Sequence, residues 1–212
     1  MLKVDHLSIG YDGRDLVRDI SFELVPGECV LLAGPNGTGK TTLLRALVAE
    51  GVVLIPTNIP KVKGFTVEAF VRTGCYRESD WRGRISKEVE GRMEEALKML
   101  GIEGLKGRDI STLSDGEFQK ACLATGLTRK AEVLLLDEPT AHLDVENRID
   151  VLWTLREVAR KTGTAVLFSS HDLHDALQVA DRVFALTRDG RFLASAGTDV
   201  LRAAFPALAN LL

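Results

Sequence analysis

The sequence predicts an α/β fold with a mainly parallel core sheet, an antiparallel N-terminal β-subdomain and a helical subdomain at about 62–128. Short apolar runs such as Cys29–Ala33 and Val133–Leu136 are typical of strands buried on both faces of a parallel sheet. Segments with helical spacing of apolar residues lie between these runs. Residues 7–11 and 20–24 instead alternate between apolar and polar side chains, as in an antiparallel sheet with one exposed face.

The helical subdomain is predicted to begin with two helices. The first helix is predicted over 66–72, with Thr66 as a candidate N-cap and Gly74 as the stop. Ser86 begins a clearer helix, because apolar residues share one face until Gly101 ends it. The basic stretch 77–84, which contains a tryptophan, is typical of a solvated loop; the alternative is a surface that contacts a partner.

The remaining elements continue the alternation of strands and helices. A short strand is expected at 51–59, and a long helix at 144–160 precedes a buried strand at 164–169. The other predicted elements are helices at 114–127 and 173–179, a hairpin at 182–196 and a tail helix at 200–212.

The composition predicts one domain spanning 1–212, since a chain of 212 residues with 45% hydrophobic residues can bury a sizeable core. A net charge of −3 at pH 7 argues against a polycationic nucleic-acid surface. The apolar runs are shorter than a bilayer span, and the N-terminus lacks the layout of a signal peptide. Cys29, Cys75 and Cys122 are scattered without metal-ligand spacing, which favours core residues in a reducing compartment. We therefore expect a cytosolic domain.

Residues 34–41 match the phosphate-binding pattern G-x-x-x-x-G-K-[ST]. The glycines let backbone N–H groups approach the phosphates, Lys40 can reach the β- and γ-phosphates, and the Thr41 hydroxyl suits Mg²⁺. The alternative is a glycine-rich turn that binds nothing, which the position between a strand and a helix disfavours. The predicted nucleotide ligands here are Gly34, Pro35, Asn36, Gly37, Thr38, Gly39, Lys40, Thr41 and Thr42.

Two carboxylates, Asp137 and Glu138, follow the apolar run Val133–Leu136. Ligands bind at the carboxyl ends of parallel strands, so we expect both side chains to lie beside the phosphate loop. Asp137 would hold Mg²⁺ through water, and Glu138 would activate the attacking water as a general base. Adjacent carboxylates are usually surface charges, but the buried run before them and Pro139 after them weaken that interpretation.

Several further candidates also have a purely structural explanation. Ser114 and Glu117 have capping-box spacing, which by itself predicts only the start of a helix. Asp144 suits an ordinary helix N-cap, and Tyr11 suits an ordinary strand position. A lone histidine is more often structural, but His171 follows a buried strand in the same order as the other motifs, which favours a functional role.

In their order and spacing, the segments 34–41, 113–117 and 133–138, with His171, resemble the ATP-binding subunit of an ABC (ATP-binding cassette) transporter. The resemblance covers nearly the whole chain and implies a P-loop NTPase core. The sequences around the later three motifs are most similar to the iron-siderophore, haem and cobalamin importer group.

The resemblance implies roles that the residues alone do not reveal. Ser114 and the Gly116 backbone would bind the γ-phosphate of an ATP held by a second copy of the chain, so that two copies enclose two ATP molecules. Asp144 would lie at the interface between the copies. His171 would contact the γ-phosphate and orient the attacking water, and Tyr11 would stack on the adenine ring.

The sequence departs from the family pattern at two places. Asp115 replaces the first glycine of the common Leu-Ser-Gly-Gly signature, and we expect it to point away from the triphosphate or to pair with a basic group. Thr57 stands where the family has a glutamine that contacts Mg²⁺, and Asn58 is a second candidate. The antiparallel hairpin that usually precedes this position is missing, so the N-terminal β-subdomain is predicted to be shortened.

These features predict an ATP hydrolase that uses ATP and Mg²⁺ to power a separate transmembrane permease, with import of an iron chelate or a related cargo. The protein would be cytoplasmic and bound to the membrane through the permease, without nucleic acid as a partner. Two alternatives stay open: a soluble ABC ATPase that acts on nucleic acid or translation, and a compact exporter ATPase. A single cassette without a basic stripe argues against the first, and the signature fits the second less well.

Overall fold

The computed structural model describes residues 1–11, 13–197 and 199–205. Strands and helices alternate along most of this length, as the sequence predicts. No helix in these ranges is both long and apolar enough to span a bilayer.

The chain divides into two units. The first contains residues 1–57 and 132–141 and the described residues from 155 onward, and the second contains residues 58–131 and 142–154. The predicted helical subdomain falls within the second unit. The second unit also includes residues 142–154, which lie outside the predicted bounds of the helical subdomain.

The N-terminal strands β1 (Leu2–Tyr11) and β2 (Arg14–Leu24) form an antiparallel pair in the first unit. Alternate side chains at the end of β2, Ile20, Phe22 and Leu24, are buried in the core, which explains the alternation seen in the sequence. Among the described residues no third strand joins this sheet, in keeping with the predicted shortening.

A mainly parallel sheet forms the centre of the first unit and confirms the predicted fold class. Its neighbouring strands are parallel except for the last pair, which is the predicted hairpin. The strands are β3 (Cys29–Ala33), β4 (Val52–Ile55), β5 (Val133–Leu136), β6 (Ala165–Ser169), β7 (Arg182–Leu186) and β8 (Phe192–Ser195), arranged in the order β4-β5-β6-β3-β7-β8. Every residue of β3, β5 and β6 is buried, as expected of strands covered on both faces.

The helices of the described chain are α1 (Lys40–Ala46), α2 (Val67–Arg72), α3 (Lys87–Met99), α4 (Asp115–Thr128), α5 (Val145–Thr162), α6 (Leu173–Val179) and α7 (Asp199–Ala204). Thr66 and Ser86 cap α2 and α3 with their side chains, as predicted. The tail helix was predicted over 200–212, but residues 206–212 lie outside the described part of the chain.

The prediction that α2 ends at Arg72 is confirmed, but Gly74 does not stop the helical path. A 3₁₀ helix, Thr73–Glu78, follows α2 directly and includes this glycine. A Cβ atom at position 74 would lie 2.3 Å from the carbonyl oxygen of Thr125 on α4. The glycine therefore permits close packing between two helical segments rather than ending one of them.

Candidate functional site

The phosphate loop, residues 34–39, joins β3 to α1 in the first unit. Gly37 and Gly39 adopt positive φ angles of 80° and 99°, a conformation that glycine adopts at little cost. Gly34 has no room for a side chain, because a Cβ atom there would lie 2.7 Å from the carbonyl oxygen of Leu186. No described side chain caps the first turn of α1, so its N–H groups are free to bind an anion.

Lys40, the first residue of α1, is only 6% exposed. Its ammonium group donates hydrogen bonds to the carbonyl oxygens of Gly34 at 2.7 Å and Pro35 at 3.3 Å. Burial lowers the pKa of Lys40, and the negative charges of Glu138 and Asp137 offset part of that effect. Because charged acceptors form stronger hydrogen bonds than carbonyl groups, phosphate oxygens are good replacements for these two contacts.

Asp137, directly after β5, is held through both carboxylate oxygens and through its backbone carbonyl. The hydroxyl of Thr41 donates to Oδ2 at 2.8 Å, and the hydroxyl of Ser169 donates to Oδ1 at 3.0 Å. Thr57, the predicted substitute for the family's glutamine, donates its hydroxyl proton to the Asp137 carbonyl oxygen at 2.7 Å. The carboxylate is buried, so these bonds fix its orientation.

The residues at this point fit a magnesium ion. Mg²⁺ in nucleotide sites is usually held by one or two protein oxygens together with phosphate groups. Thr41 supplies a hydroxyl and Asp137 supplies a carboxylate, and their oxygens lie 2.8 Å apart. Both are hard oxygen ligands on the same edge of the sheet as the phosphate loop. The role of Thr57 as a metal ligand stays a prediction, since the structure shows only its bond to the Asp137 backbone.

Glu138 and His171 form a close pair. The Nε2 atom of His171 lies 2.6 Å from Oε1 of Glu138. Glu138 has a φ angle of 51°, which is unusual for a residue with a side chain, and its N–H donates to the Ser169 hydroxyl at 2.9 Å. Such backbone conformations persist where the surroundings hold them, and they are common at functional sites. The structure thus brings the two predicted catalytic residues together.

A cavity of about 340 Å³ in the first unit collects most of the predicted nucleotide ligands. At its edge the phenolic oxygen of the exposed Tyr11 accepts a hydrogen bond from the Thr42 hydroxyl. An exposed aromatic ring beside the phosphate loop is available for stacking on a base, although this role stays a prediction. The cavity is lined by Tyr11, Leu16, Asn36, Gly37, Gly39, Lys40, Thr41, Thr42, Glu138 and His171.

The signature segment, residues 113–117, opens α4 in the second unit. The hydroxyl of Ser114 accepts the N–H of Glu117 at 3.2 Å, and the Glu117 carboxylate accepts the N–H of Ser114 at 2.8 Å. These reciprocal bonds are the capping box that the spacing predicted. The contact of Ser114 with the triphosphate of a second copy stays a prediction.

Gly116 lies against the start of α5. A Cβ atom at Gly116 would be 2.6 Å from Oδ1 of Asn147. Asn147 in turn donates its backbone N–H and its side-chain amide to the carboxylate of Asp144, at 2.8 and 2.9 Å. These bonds lower the pKa of Asp144. Asn147 therefore connects two residues that are both predicted to face a second copy.

Asp115 pairs with a basic residue, as the sequence led us to expect. The partner is Lys61, whose ammonium group lies 2.6 Å from Oδ1 of Asp115 and also donates to the carbonyl oxygen of Leu113 at 2.9 Å. Both bonds lie within the second unit. The negative charge introduced into the signature is thus compensated by a residue of the loop that follows β4.

Sequence reasoning missed Ser169, Asn147 and Lys61. A polar residue at the end of the apolar run of β6 was a usable signal for Ser169. Asn147 lies three residues after Asp144, which is the spacing of a helix cap. No local pattern pointed to Lys61, because its partner lies far along the chain.

Comparison with known proteins agrees with this geometry. Residues 17–141 match the family model described as ABC transporter. The chain belongs to the ABC transporter family. This ABC protein is therefore a member of an ATPase family that binds ATP, generally with Mg²⁺, and the expected family resemblance is confirmed.

Curated relatives of this ABC protein are ATP-binding proteins of import and transport systems. It is 35% identical to the zinc import ATP-binding protein ZnuC of Roseobacter denitrificans, over 88% of this chain and 75% of that protein. It is 30% identical to the petrobactin import ATP-binding protein FpuC of Bacillus anthracis, over 89% and 78% respectively. The ferric enterobactin transport ATP-binding protein FepC of Escherichia coli is 31% identical, over 91% and 80%.

Solved structures support the fold. One, from a metal-chelate type ABC transporter in an inward-facing conformation, matches with a TM-score of 0.85 at 23% identity and covers 96% of this chain and 88% of that one. Another, CbiO1 of Clostridium perfringens, matches with a TM-score of 0.80 at 24% identity, over 99% and 97%.

Proposed function

We propose that this chain hydrolyses ATP at the cavity of the first unit and uses the energy to drive a separate transmembrane permease. The observation that carries the proposal is the arrangement around that cavity: Lys40 and the phosphate loop on one side, and the Glu138–His171 pair on the other. Phosphoryl transfer depends on positioning and on charge stabilisation rather than on covalent chemistry from the protein. These residues supply both.

Each group has a distinct part in the proposed reaction. Lys40 and the N–H groups of the loop stabilise negative charge on the β- and γ-phosphates. Glu138 accepts a proton from the attacking water, and His171 holds the Glu138 carboxylate through their 2.6 Å contact. Thr41 and, through water, Asp137 would hold Mg²⁺, which would further neutralise the charge of the phosphates.

We also propose that two copies enclose two ATP molecules. Ser114, Gly116 and Asp144 belong to the second unit, and none of these described residues lines the cavity of the first. A signature segment supplied by a second copy would complete the site. Support comes from the family, whose model matches residues 17–141 and therefore includes this segment at the start of α4.

The proposed transport is import of an iron chelate or of a related metal cargo. The names of the curated relatives include petrobactin, ferric enterobactin and zinc. The cargo itself would be selected by other polypeptides, so these names support the class of transporter more strongly than the identity of its cargo.

A groove of about 800 Å³ in the second unit is the proposed docking surface for the permease. It is lined in part by Arg72, Tyr76, Arg77 and Trp81, and the indole of Trp81 is 85% exposed. The guanidinium group of Arg82 lies over the Trp81 ring at 4.3 Å from its centre. Exposed aromatic and arginine side chains are enriched at protein interfaces, which favours the partner-contact interpretation of 77–84 over a solvated loop.

The decisive test is Glu138→Gln. We expect ATP turnover to fall by at least about 100-fold, because the general base is lost, while ATP still binds. With ATP and Mg²⁺ the variant should accumulate as a dimer in size-exclusion chromatography. Glu50→Gln, an exposed carboxylate of the same unit, is the matched control and should behave as the unmodified chain. Brisk hydrolysis by the Glu138 variant would remove Glu138 as the base.

Purification of the full chain from membranes separates the functional classes. A polytopic membrane protein that co-purifies would support transport. Ribosomes or nucleic acid in its place would support the soluble alternative and contradict the proposed function.

A further inference from the structure

Ser169, the last residue of β6, has a buried hydroxyl that no motif in the sequence assigns to a function. Its side chain lies between the two carboxylate residues that follow β5. A hydroxyl has one proton to donate and lone pairs to accept with. Here the proton goes to Oδ1 of Asp137 at 3.0 Å, and the oxygen accepts the N–H of Glu138 at 2.9 Å.

On this geometry we propose that Ser169 is a positioning residue that fixes the Asp137 carboxylate and the Glu138 backbone relative to each other. The inference rests on the proposed ATPase function of the same site. It extends that function to a residue that does not itself line the cavity.

The bond to Asp137 selects which carboxylate oxygen faces the phosphate loop. Oδ1 is satisfied by Ser169, so Oδ2 is the oxygen that accepts from Thr41 at 2.8 Å. Without the serine hydroxyl, Oδ1 would be a buried acceptor with one fewer partner, and the bond from Thr41 to Oδ2 would be left to orient the carboxylate. The predicted Mg²⁺ ligands would then lose their fixed geometry.

The bond to Glu138 supports an unusual backbone conformation. Glu138 has a φ angle of 51°, and its carboxylate meets His171 at 2.6 Å. Anchoring the N–H of Glu138 sets the direction in which its side chain leaves the backbone. One hydroxyl therefore orients both the magnesium ligand and the proposed base.

A buried hydroxyl with a purely structural role occurs in the same unit and provides a comparison. Thr187, just after β7, accepts the N–H of Arg191 at 3.0 Å and donates to the carbonyl oxygen of Arg191 at 3.3 Å. It closes the β7–β8 turn, and the carboxylate that it contacts is that of Asp189, an exposed residue of the same turn and not of the cavity. Ser169 is similarly buried, but its partners are Asp137 and Glu138 of the proposed site. The test uses this difference in partners.

The test compares Ser169→Ala with Thr187→Val, each of which removes one buried hydroxyl. For Ser169→Ala we expect kcat for ATP to fall about tenfold, since a bond to a charged group is lost at the reacting site. Affinity for a non-hydrolysable ATP analogue in EDTA should stay within about twofold, whereas the gain in affinity on adding Mg²⁺ should shrink several-fold. Thr187→Val should leave both readouts unchanged.

Ser169→Thr is the rescue variant, because it keeps a hydroxyl at the same position, and it should recover most of the Mg²⁺-dependent gain. If Ser169→Ala does not fold, Ser169→Cys, with its weak donor, takes its place in the same assays. The inference is overturned if the folded variant keeps its kcat and its Mg²⁺ response. It is also overturned if binding in EDTA falls as much as binding in Mg²⁺, since that result indicates general damage.

These outcomes can be separated from failure of the proposed function. If the unmodified chain hydrolyses ATP in a Glu138-dependent manner but Ser169→Ala is normal, only the positioning role fails. If the unmodified chain does not hydrolyse ATP, the proposed function fails, and the Mg²⁺ dependence of analogue binding still decides the role of Ser169.

Discussion

The phosphate-binding cavity and the signature segment are built in contrasting ways. Around the cavity, Asp137 is 7% exposed and Ser169 is fully buried, and each is held by several short hydrogen bonds. In the signature segment the main charged contact joins side chains that are 63% exposed for Asp115 and 26% exposed for Lys61. The polar contacts around the cavity are buried, whereas the ion pair of the signature segment is partly exposed to solvent.

This difference in burial indicates how strongly each region is held in one conformation. A buried network gains strength from the low local dielectric and allows few alternative arrangements. An exposed ion pair contributes little to stability and can rearrange when a partner arrives. We infer that the nucleotide cavity is ready within a single copy, whereas the signature segment is completed by contact with a second copy. Three predictions test this contrast.

The largest effect is expected for Lys40→Ala. Loss of its charged hydrogen bonds should weaken ATP binding to a single copy by about 10- to 100-fold, as measured by calorimetry. Lys3→Ala removes an exposed lysine from the same unit and should leave the affinity unchanged. Unchanged affinity in the Lys40 variant would count against the phosphate-loop assignment.

A smaller and more selective effect is expected for Gly116→Ala. The new methyl group would lie 2.6 Å from Oδ1 of Asn147 and would displace that side chain from its contacts with Asp144. We expect ATP turnover and ATP-dependent dimer formation to fall about tenfold, with nucleotide affinity of the single copy unaffected.

Gly91→Ala on α3 is the control for this substitution. A Cβ atom at Gly91 would have no neighbour within 4 Å, so alanine there should be neutral or slightly stabilising. Equal loss of nucleotide affinity and of dimer formation in the Gly116 variant would show that the two regions are not independent.

The smallest effect is expected for the Lys61–Asp115 pair. Lys61→Met should lower the free energy of unfolding by less than about 1 kcal/mol, because the pair is partly exposed. Turnover should fall a few-fold, since the uncompensated Asp115 would repel a triphosphate. Adding Asp115→Asn to this variant should restore turnover. A double-mutant cycle checks this, with both ATP turnover and the free energy of unfolding in denaturant measured for each variant. A double variant that is no better than Lys61→Met would refute charge compensation.

Sequence reasoning was most successful where a local pattern has a local cause. The fully apolar runs predicted β3 and β5 because every side chain of a strand covered on both faces is buried. Thr66 and Ser86 were recognised as caps because a cap satisfies N–H groups only a few residues away. The glycine pattern at 34–39 likewise reflects backbone angles within the loop itself.

It failed where one residue serves a distant neighbour. Gly74 was read as a helix end, yet its lack of a side chain is required by the Thr125 carbonyl group on another helix. The bond from the Thr57 hydroxyl to the Asp137 backbone was likewise not foreseen, while the role of Thr57 as a metal ligand stays a prediction. Neither contact leaves a signal in the adjacent sequence.

The sequence by itself determined the family, the order of the motifs and the residue types that are predicted to bind and hydrolyse a nucleotide. Only the tertiary structure decided how those residues are held: Ser169 between two carboxylates, Asn147 between Gly116 and Asp144, and Lys61 against the signature. The physical reason is that hydrogen bonds and ion pairs act over a few ångströms in space, while their partners here often lie many residues apart in the chain.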